Sequence, residues 1–279
     1  MIFDRAFLWI GCIIYALAFI FALVSLARSR RYPRLILVLI VAGGFLFQTF
    51  GLYERGLEAQ RCPISNTFEI LQFITWSAIL LYLLVGPAFR LSLLGFFTSG
   101  LAAVLGIVSL LVPAWDPVRA STVFGDDPWI AAHASLAIFS YGIFGLLALT
   151  AWMYLIQNYG LRKKRFRGLF ALLPSILELD HMNGRLLLTG VSVLSFSLAI
   201  GGLHWLGDKE TVRSLKLITT TVVWLAYFAV MVLHRSNRLI ARRYAWTCMV
   251  LFIVALLTLW PVDVSRPVRI VPPNTHSVR

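Results

Sequence analysis

The sequence predicts an all-α protein: a polytopic membrane helix bundle of about eight transmembrane helices, with both termini extracytoplasmic. Three observations carry that expectation. Of the 279 residues, 59% are hydrophobic and only 13% charged, whereas a soluble domain is near half apolar and about a quarter charged. Eight apolar runs each approach the ~20 residues that span a bilayer core. The basic residues between those runs fall on alternate loops, which sets an orientation.

The runs lie near 7–27, 35–53, 67–86, 92–112, 130–156, 186–206, 215–234 and 244–262. Before the first stands only Arg5, and after it come the four arginines of "RSRRYPR" (28–34). That polarity is the reverse of a cleaved signal peptide. The second run leads into "ERGLEAQRCPISN" (54–66), which ends in a helix-start signal, Asn66 with Glu69 three residues on. Arg90 separates the third and fourth runs. "PAWDPVRASTVFGDDPW" (113–129), with three prolines and two tryptophans, is expected to lie along the interface. The fifth run opens almost at once with His133 and ends before "LRKKRFR" (161–167). The segment 166–184, broken by Pro174, is expected as a separate short helix on the inner surface. The sixth run holds "AIGGLHWLGDKET", the seventh closes on His234, and "RSNRLIARR" (235–243) precedes the eighth. Residues 1–279 read as a single integral membrane domain, with 264–279 as a flexible extracytoplasmic tail.

Charge orients the chain. The even loops carry 15 of the 25 Lys and Arg against only Glu178 and Asp180, a net of +13; the odd side holds 10 basic and 10 acidic residues. The basic side is therefore expected to be cytoplasmic, in contact with anionic membrane lipid. No basic patch stands apart from a membrane end, so nucleic acid is not expected as a partner. Cys12, Cys62 and Cys248 have neither metal nor CxxC spacing and read as packing residues. No nucleophile–base constellation or phosphate loop is visible, which argues against hydrolase or kinase chemistry.

The histidines are the candidates for function. Helix five runs inward and helix six outward, so His133 and His204 should reach matching depth at the outer face. His133 stands roughly 5 Å below Trp129 at 1.5 Å per residue. Two imidazoles so placed can hold haem iron between helices, with Gly201 and Gly202 giving a ring room. Trp129, Tyr141, Phe196 and Trp205 are candidate walls, and Arg119, Lys209 and Arg213 candidate propionate partners. The competing reading is purely structural, since an interfacial histidine needs no ligand and a helix C-terminus alone suits His234. Glu69 and Gln72 read as a cap and an interhelical hydrogen bond. His181 and His276 are expected to be solvated, the latter in the proline-rich tail.

Four stretches resemble the cytochrome c assembly family of membrane haem-handling proteins, of the CcsA/ResC type with HemX- and YpjD-like relatives. They are "PISNTFEILQFITW" (63–76), "HASLAIFSYGIF" (133–144), "LPSILELDHMNGRLLLTGVSVLSFSLAIGGLHW" (173–205) and "DKETVRSLKLITTTVVWLAYFAVMVLHR" (208–235). The similarity covers roughly 63–262. It implies that His133 is an axial haem ligand on the outer face and that His234 belongs to a transmembrane haem site near the inner side. It implies haem b as cofactor, cytochrome c biogenesis as function, and residence as a multi-pass protein of the bacterial inner (cytoplasmic) membrane. Haem, other cytochrome c assembly proteins and apocytochrome are the implied partners.

The chain departs from the family pattern twice. Only Leu206 and Gly207 stand where a tryptophan-rich outer loop belongs, so independent synthase activity is not expected. No histidine follows the last helix in "WPVDVSRP" (260–267), which leaves His204, or His276 from the tail, as the second outer ligand. Two other readings stay open: a non-catalytic membrane regulator or adaptor of the HemX or YpjD kind without haem, and a small-molecule transporter.

Overall fold

The computed structural model describes residues 2–28, 34–59, 62–88, 93–116, 128–164, 170, 173–207 and 214–264. Among them are eight helices long and apolar enough to cross a membrane: α1 (Ile2–Ala27), α2 (Arg34–Ala59), α3 (Thr67–Ala88), α4 (Leu94–Leu111), α5 (Pro128–Arg162), α6 (Ile176–Gly207), α7 (Ser214–Arg235) and α8 (Ala241–Val264). A single 3-10 turn, Pro113–Trp115, follows α4. The described residues contain no strand, as expected where backbone polar groups must be satisfied within each segment. Large side chains such as Leu17, Leu39, Leu84 and Leu257 point outward, each more than half exposed, as the lipid-facing side of a bundle requires.

The helices pack as two halves. In the first, α1 packs on α2 and α4, and α3 on α2 and α4; in the second, α5 packs on α6 and α8, and α7 on α6 and α8. The halves meet where α3 lies against α5. Gly142 makes that approach possible, because a Cβ there would collide with Ser77 Oγ and stand 3.1 Å from the Ala78 nitrogen.

Helices α5 and α6 are the longest, with 35 and 32 residues. Each exceeds the ~20 residues needed to span, so both project beyond the hydrocarbon. The extension of α6 corrects the expected separate surface helix. Just before the helix stands Pro174. Directly after it Ser175 Oγ accepts the Glu178 N–H at 3.2 Å, and the helix then runs unbroken from Ile176. Leu179, Met182, Asn183 and Leu187 recur at helical spacing and are all buried. Leu177, His181 and Arg185 are exposed on the other flank, with Glu178 and Asp180 half-buried between the two. Residues 265–279, with the predicted tail and His276, lie outside the described residues, as do Arg119, Lys209 and Arg213.

Candidate functional site

His133 sits in the second turn of α5, and its ring is seated on α6. Nδ1 lies 2.7 Å from the Ser197 carbonyl oxygen. A carbonyl can only accept, so Nδ1 carries the proton, and Nε2 is the nitrogen left to offer a lone pair. Ser197 closes the clamp from its own side: its hydroxyl donates to the His133 carbonyl at 2.8 Å and lies 3.1 Å from Nδ1. Ser197 is buried, so both links are shielded. Fixing the remote nitrogen on a backbone carbonyl is how metal-binding histidines are held in tautomer and orientation.

One turn along the same stripe of α6, Gly201 completes the seat. A Cβ at Gly201 would stand 2.7 Å from both Cε1 and Nδ1 of His133, whereas one at Gly202 would meet nothing within 4 Å. Of the two glycines expected to give room, Gly201 alone does so for this ring. His204 follows three residues later on that helix, and the 197, 201, 204 spacing places it on the His133-bearing stripe. The side chains of His204 and Trp205 lie outside the described residues, so their expected roles carry no contact here. Of the candidate walls, Trp129 and Phe196 are exposed while Tyr141 is buried against Phe144 in the core.

His234 occupies the other end of the same half. The turn between α7 and α8 is tight, with Asn237 at φ 55° and the Arg238 and Leu239 N–H groups folded back on the Leu233 carbonyl. That turn brings the Leu239 carbonyl 3.1 Å from His234 Nδ1 and lays the ring flat on Tyr244, centroids 3.9 Å apart. His234 therefore has the same arrangement as His133: Nδ1 engaged by a carbonyl and Nε2 left over. Its Nε2 faces α6 at Gly184, 3.9 Å from where a Cβ would be. Beside it, Asn183 is fully buried with neither amide atom hydrogen-bonded.

A second polar centre, unforeseen as a unit, closes one end of the first half. Arg55 at the end of α2 donates from Nε to Glu69 at 2.8 Å and from Nη1 to Asp4 at 3.0 Å, and its Nη2 pairs with Asp116. Asp116 also meets Arg5 at 3.1 Å and the Asn66 amide at 3.1 Å. The Arg55 guanidinium lies 4.8 Å from the centre of the Phe68 ring. Glu69 is at once a partner and a cap: its N–H is taken by Asn66 Oδ1 at 2.7 Å, and its Oε2 accepts the Ser65 N–H at 2.7 Å. From this knot Cys62 reaches across to α5, its sulfur 3.4 Å from Ser135 Oγ, two residues past His133. Burial pushes the Cys62 thiol up, against the lowering by the Ser135 hydroxyl; it is a packing thiol rather than a thiolate nucleophile. Among the described residues no three His, Cys, Asp or Glu converge as a metal cluster.

A multi-pass membrane bundle with one backbone-clamped histidine at each end of its second half is the class that fold and site define. The model of the family described as Cytochrome C assembly protein matches residues 64–267, and the chain belongs to that family. It is 30% identical to Protein HemX of Brevibacillus brevis over 71% of this chain and 73% of that one. With Protein HemX of Bacillus subtilis it shares 26% over 77% and 79%. With the cytochrome c biogenesis protein CcsA of Gloeobacter violaceus it shares 26% over 61% and 49%. The matched span opens just before the Ser65–Glu69 cap and contains His133, Ser197, Gly201 and His234.

Proposed function

We propose that this chain is a haem-binding protein of the bacterial cytoplasmic membrane that holds or passes haem b for cytochrome c biogenesis, without being a complete synthase. The observation that carries the reading is the 2.7 Å contact between His133 Nδ1 and the Ser197 carbonyl. It leaves Nε2 as the donor, and a haem iron takes such a nitrogen axially. The Gly201 seat supports it, since the ring fills space that any side chain would occupy. A bound haem would supply a redox-active iron at the outer face. The chain's own part is to fix the ring, exclude competing rotamers and offer the second ligand. His204 is the proposed partner, one turn beyond Gly201, with His276 the rival. His234 is the proposed ligand of a second haem near the inner face, on the strength of its matching clamp to Leu239. The charge asymmetry supports extracytoplasmic termini, with the 161–167 and 235–243 loops inside.

The test is spectroscopic. Purified protein is expected to show a low-spin b-type spectrum that His133→Ala and His204→Ala abolish or shift, and that imidazole added to His133→Ala restores in part. His234→Ala should leave the outer component in place. A spectrum unchanged in both outer variants ends the proposal. Loss of haem on deleting 268–279 transfers the second ligand to His276.

The length shared with the two HemX proteins, and the two residues standing where a tryptophan-rich loop was expected, favour one second reading: a haem-free membrane regulator or adaptor. Colourless protein that copurifies with a partner would support it.

A further inference from the structure

On the lipid-facing side of the second half, α5 and α8 together form a groove that the haem reading does not use. Its upper part, about 560 Å³, is lined by Arg242, Arg243, Trp246 and Thr247 with Leu239. A second part, about 240 Å³, continues from Trp246 to Met249 on α8 and to Trp152, Leu155 and Tyr159 on α5. Residues 242/243, 246 and 249 follow at steps of three and four along α8, so they form one stripe. On α5 the positions 152, 155 and 159, with Arg162 one turn further, form another. The helices run antiparallel, and both stripes read in the same direction across the membrane: cations at the end, an aromatic collar, then apolar surface. Arg242 to Met249 spans about 10 Å of helix.

That sequence of surfaces matches the parts of one molecule, a glycerophospholipid, with its phosphate at the guanidiniums and its acyl chains along Leu155 and Met249. Arg242 and Arg243 are exposed, and among the described residues neither pairs with a carboxylate. Guanidinium is the side chain best suited to bidentate phosphate contact, and basic pockets between transmembrane helices at a membrane face bind anionic head groups. Trp246 and Tyr159, each about half exposed, stand at the level where aromatic residues border the head-group region. We infer that this groove is a binding site for one anionic phospholipid, selected over zwitterionic lipid by Arg242 and Arg243.

The experiment uses the full chain in phosphatidylcholine nanodiscs doped with brominated-chain phosphatidylglycerol or brominated-chain phosphatidylcholine. The Trp246 signal is read as wild type minus Trp246→Phe. Phosphatidylglycerol is expected to quench Trp246 at a lower mole fraction, by roughly fivefold for each arginine engaged. The double variant Arg242→Gln/Arg243→Gln should bring the two lipids to parity, while Arg242→Lys/Arg243→Lys keeps most of the preference. Equal quenching of the wild type by both lipids would overturn the inference, and needs only the conservative Trp246→Phe control beside it. So would a preference undiminished in the glutamine variant, or Trp246 shielded from both lipids by a second copy cross-linking at position 246.

Discussion

Gln48 and Gln72 on one side of the α3–α5 seam, and Asn183 on the other, are all fully buried, yet they are treated differently. Gln48 Nε2 donates to Gln72 Oε1 at 2.9 Å and its Oε1 accepts from Tyr15 at 2.9 Å; Gln72 in turn donates to Ser109 and the Gly106 carbonyl. Four helices are joined by that one network, and the Arg55 knot joins the same four-helix half again at one end. In the second half, both amide atoms of Asn183 and the Tyr227 hydroxyl lack a partner, and His133 and His234 each present one uncommitted nitrogen. Buried polar groups are nearly always paired, so the contrast separates roles. The first half uses polarity chiefly to fasten helices together, with Arg5 Nε left without a hydrogen bond. The second keeps polar valence in reserve, where a ligand could take it up.

The largest expected effect comes from cutting the knot. Arg55→Ala leaves Asp4, Glu69 and Asp116 without their shared cation in a site where Arg55 is only 7% exposed. Removing one partner of a buried ion pair costs about 3–5 kcal/mol. A steep drop in the melting temperature of the solubilised protein and in folded yield is expected. Any folded fraction should retain the proposed haem spectrum, because the damage lies in the fastening half. Loss of the spectrum with full retention of stability would invert the comparison.

Gly201→Ala acts on the other half. The added methyl would stand 2.7 Å from the His133 ring, and such overpacking costs about 1–3 kcal/mol. The more telling readout is the haem signal, expected to be lost or shifted while Gly202→Ala leaves it unchanged. Equal behaviour of the two glycine variants would break the link between Gly201 and the histidine seat.

Much of this architecture was legible in the sequence, and the exceptions follow a rule. The number of helices was readable because a bilayer demands a continuous apolar run for each crossing. The ends of α5 and α6 were not, because outside the hydrocarbon a helix may be polar, and the charges at Glu178, Asp180 and Arg185 suggested a separate surface helix. Glu69 as a cap was readable because its partner Asn66 is three residues away. The rest of its role was not, because Arg55 binds groups 14, 51 and 61 residues distant. Ser197 was missed for the same reason: a serine among "VSVLSFSLAIGG" carries no mark of a carbonyl that clamps a ring 64 residues away. Gly201 was visible as space beside a helix, though not which ring fills it.

Gln72→Leu tests whether the membrane network fastens the first half as a unit. It leaves Gln48 Nε2 only the Gln72 backbone carbonyl at 3.2 Å and takes the amide donor from the Ser109 hydroxyl and the Gly106 carbonyl, and weakened hydrogen bonding of buried groups costs about 1–3 kcal/mol. Gln48→Leu/Gln72→Leu removes both glutamines, so its destabilisation should fall short of the sum of the single variants, as groups sharing a network couple by about 0.5–3 kcal/mol. Strict additivity in thermal melts would mean that the two glutamines act independently.

The smallest effect is expected at Asn183→Leu, and its smallness is the point. The amide has no protein partner to lose, so an apolar residue of similar volume removes a desolvated polar group without leaving another behind. Melting temperature should stay level or rise slightly, since exchanging an unpaired buried polar group for an apolar one is neutral or stabilising. The inner haem proposed at His234 is the second readout, because Asn183 adjoins Gly184, against which His234 Nε2 lies. Unchanged stability together with a shifted inner spectrum would show that the amide's valence is kept for a bound group. A fall in stability comparable to that of Gln72→Leu would show instead that Asn183 is a fastening residue like those of the first half, and the contrast between the halves would close at this position.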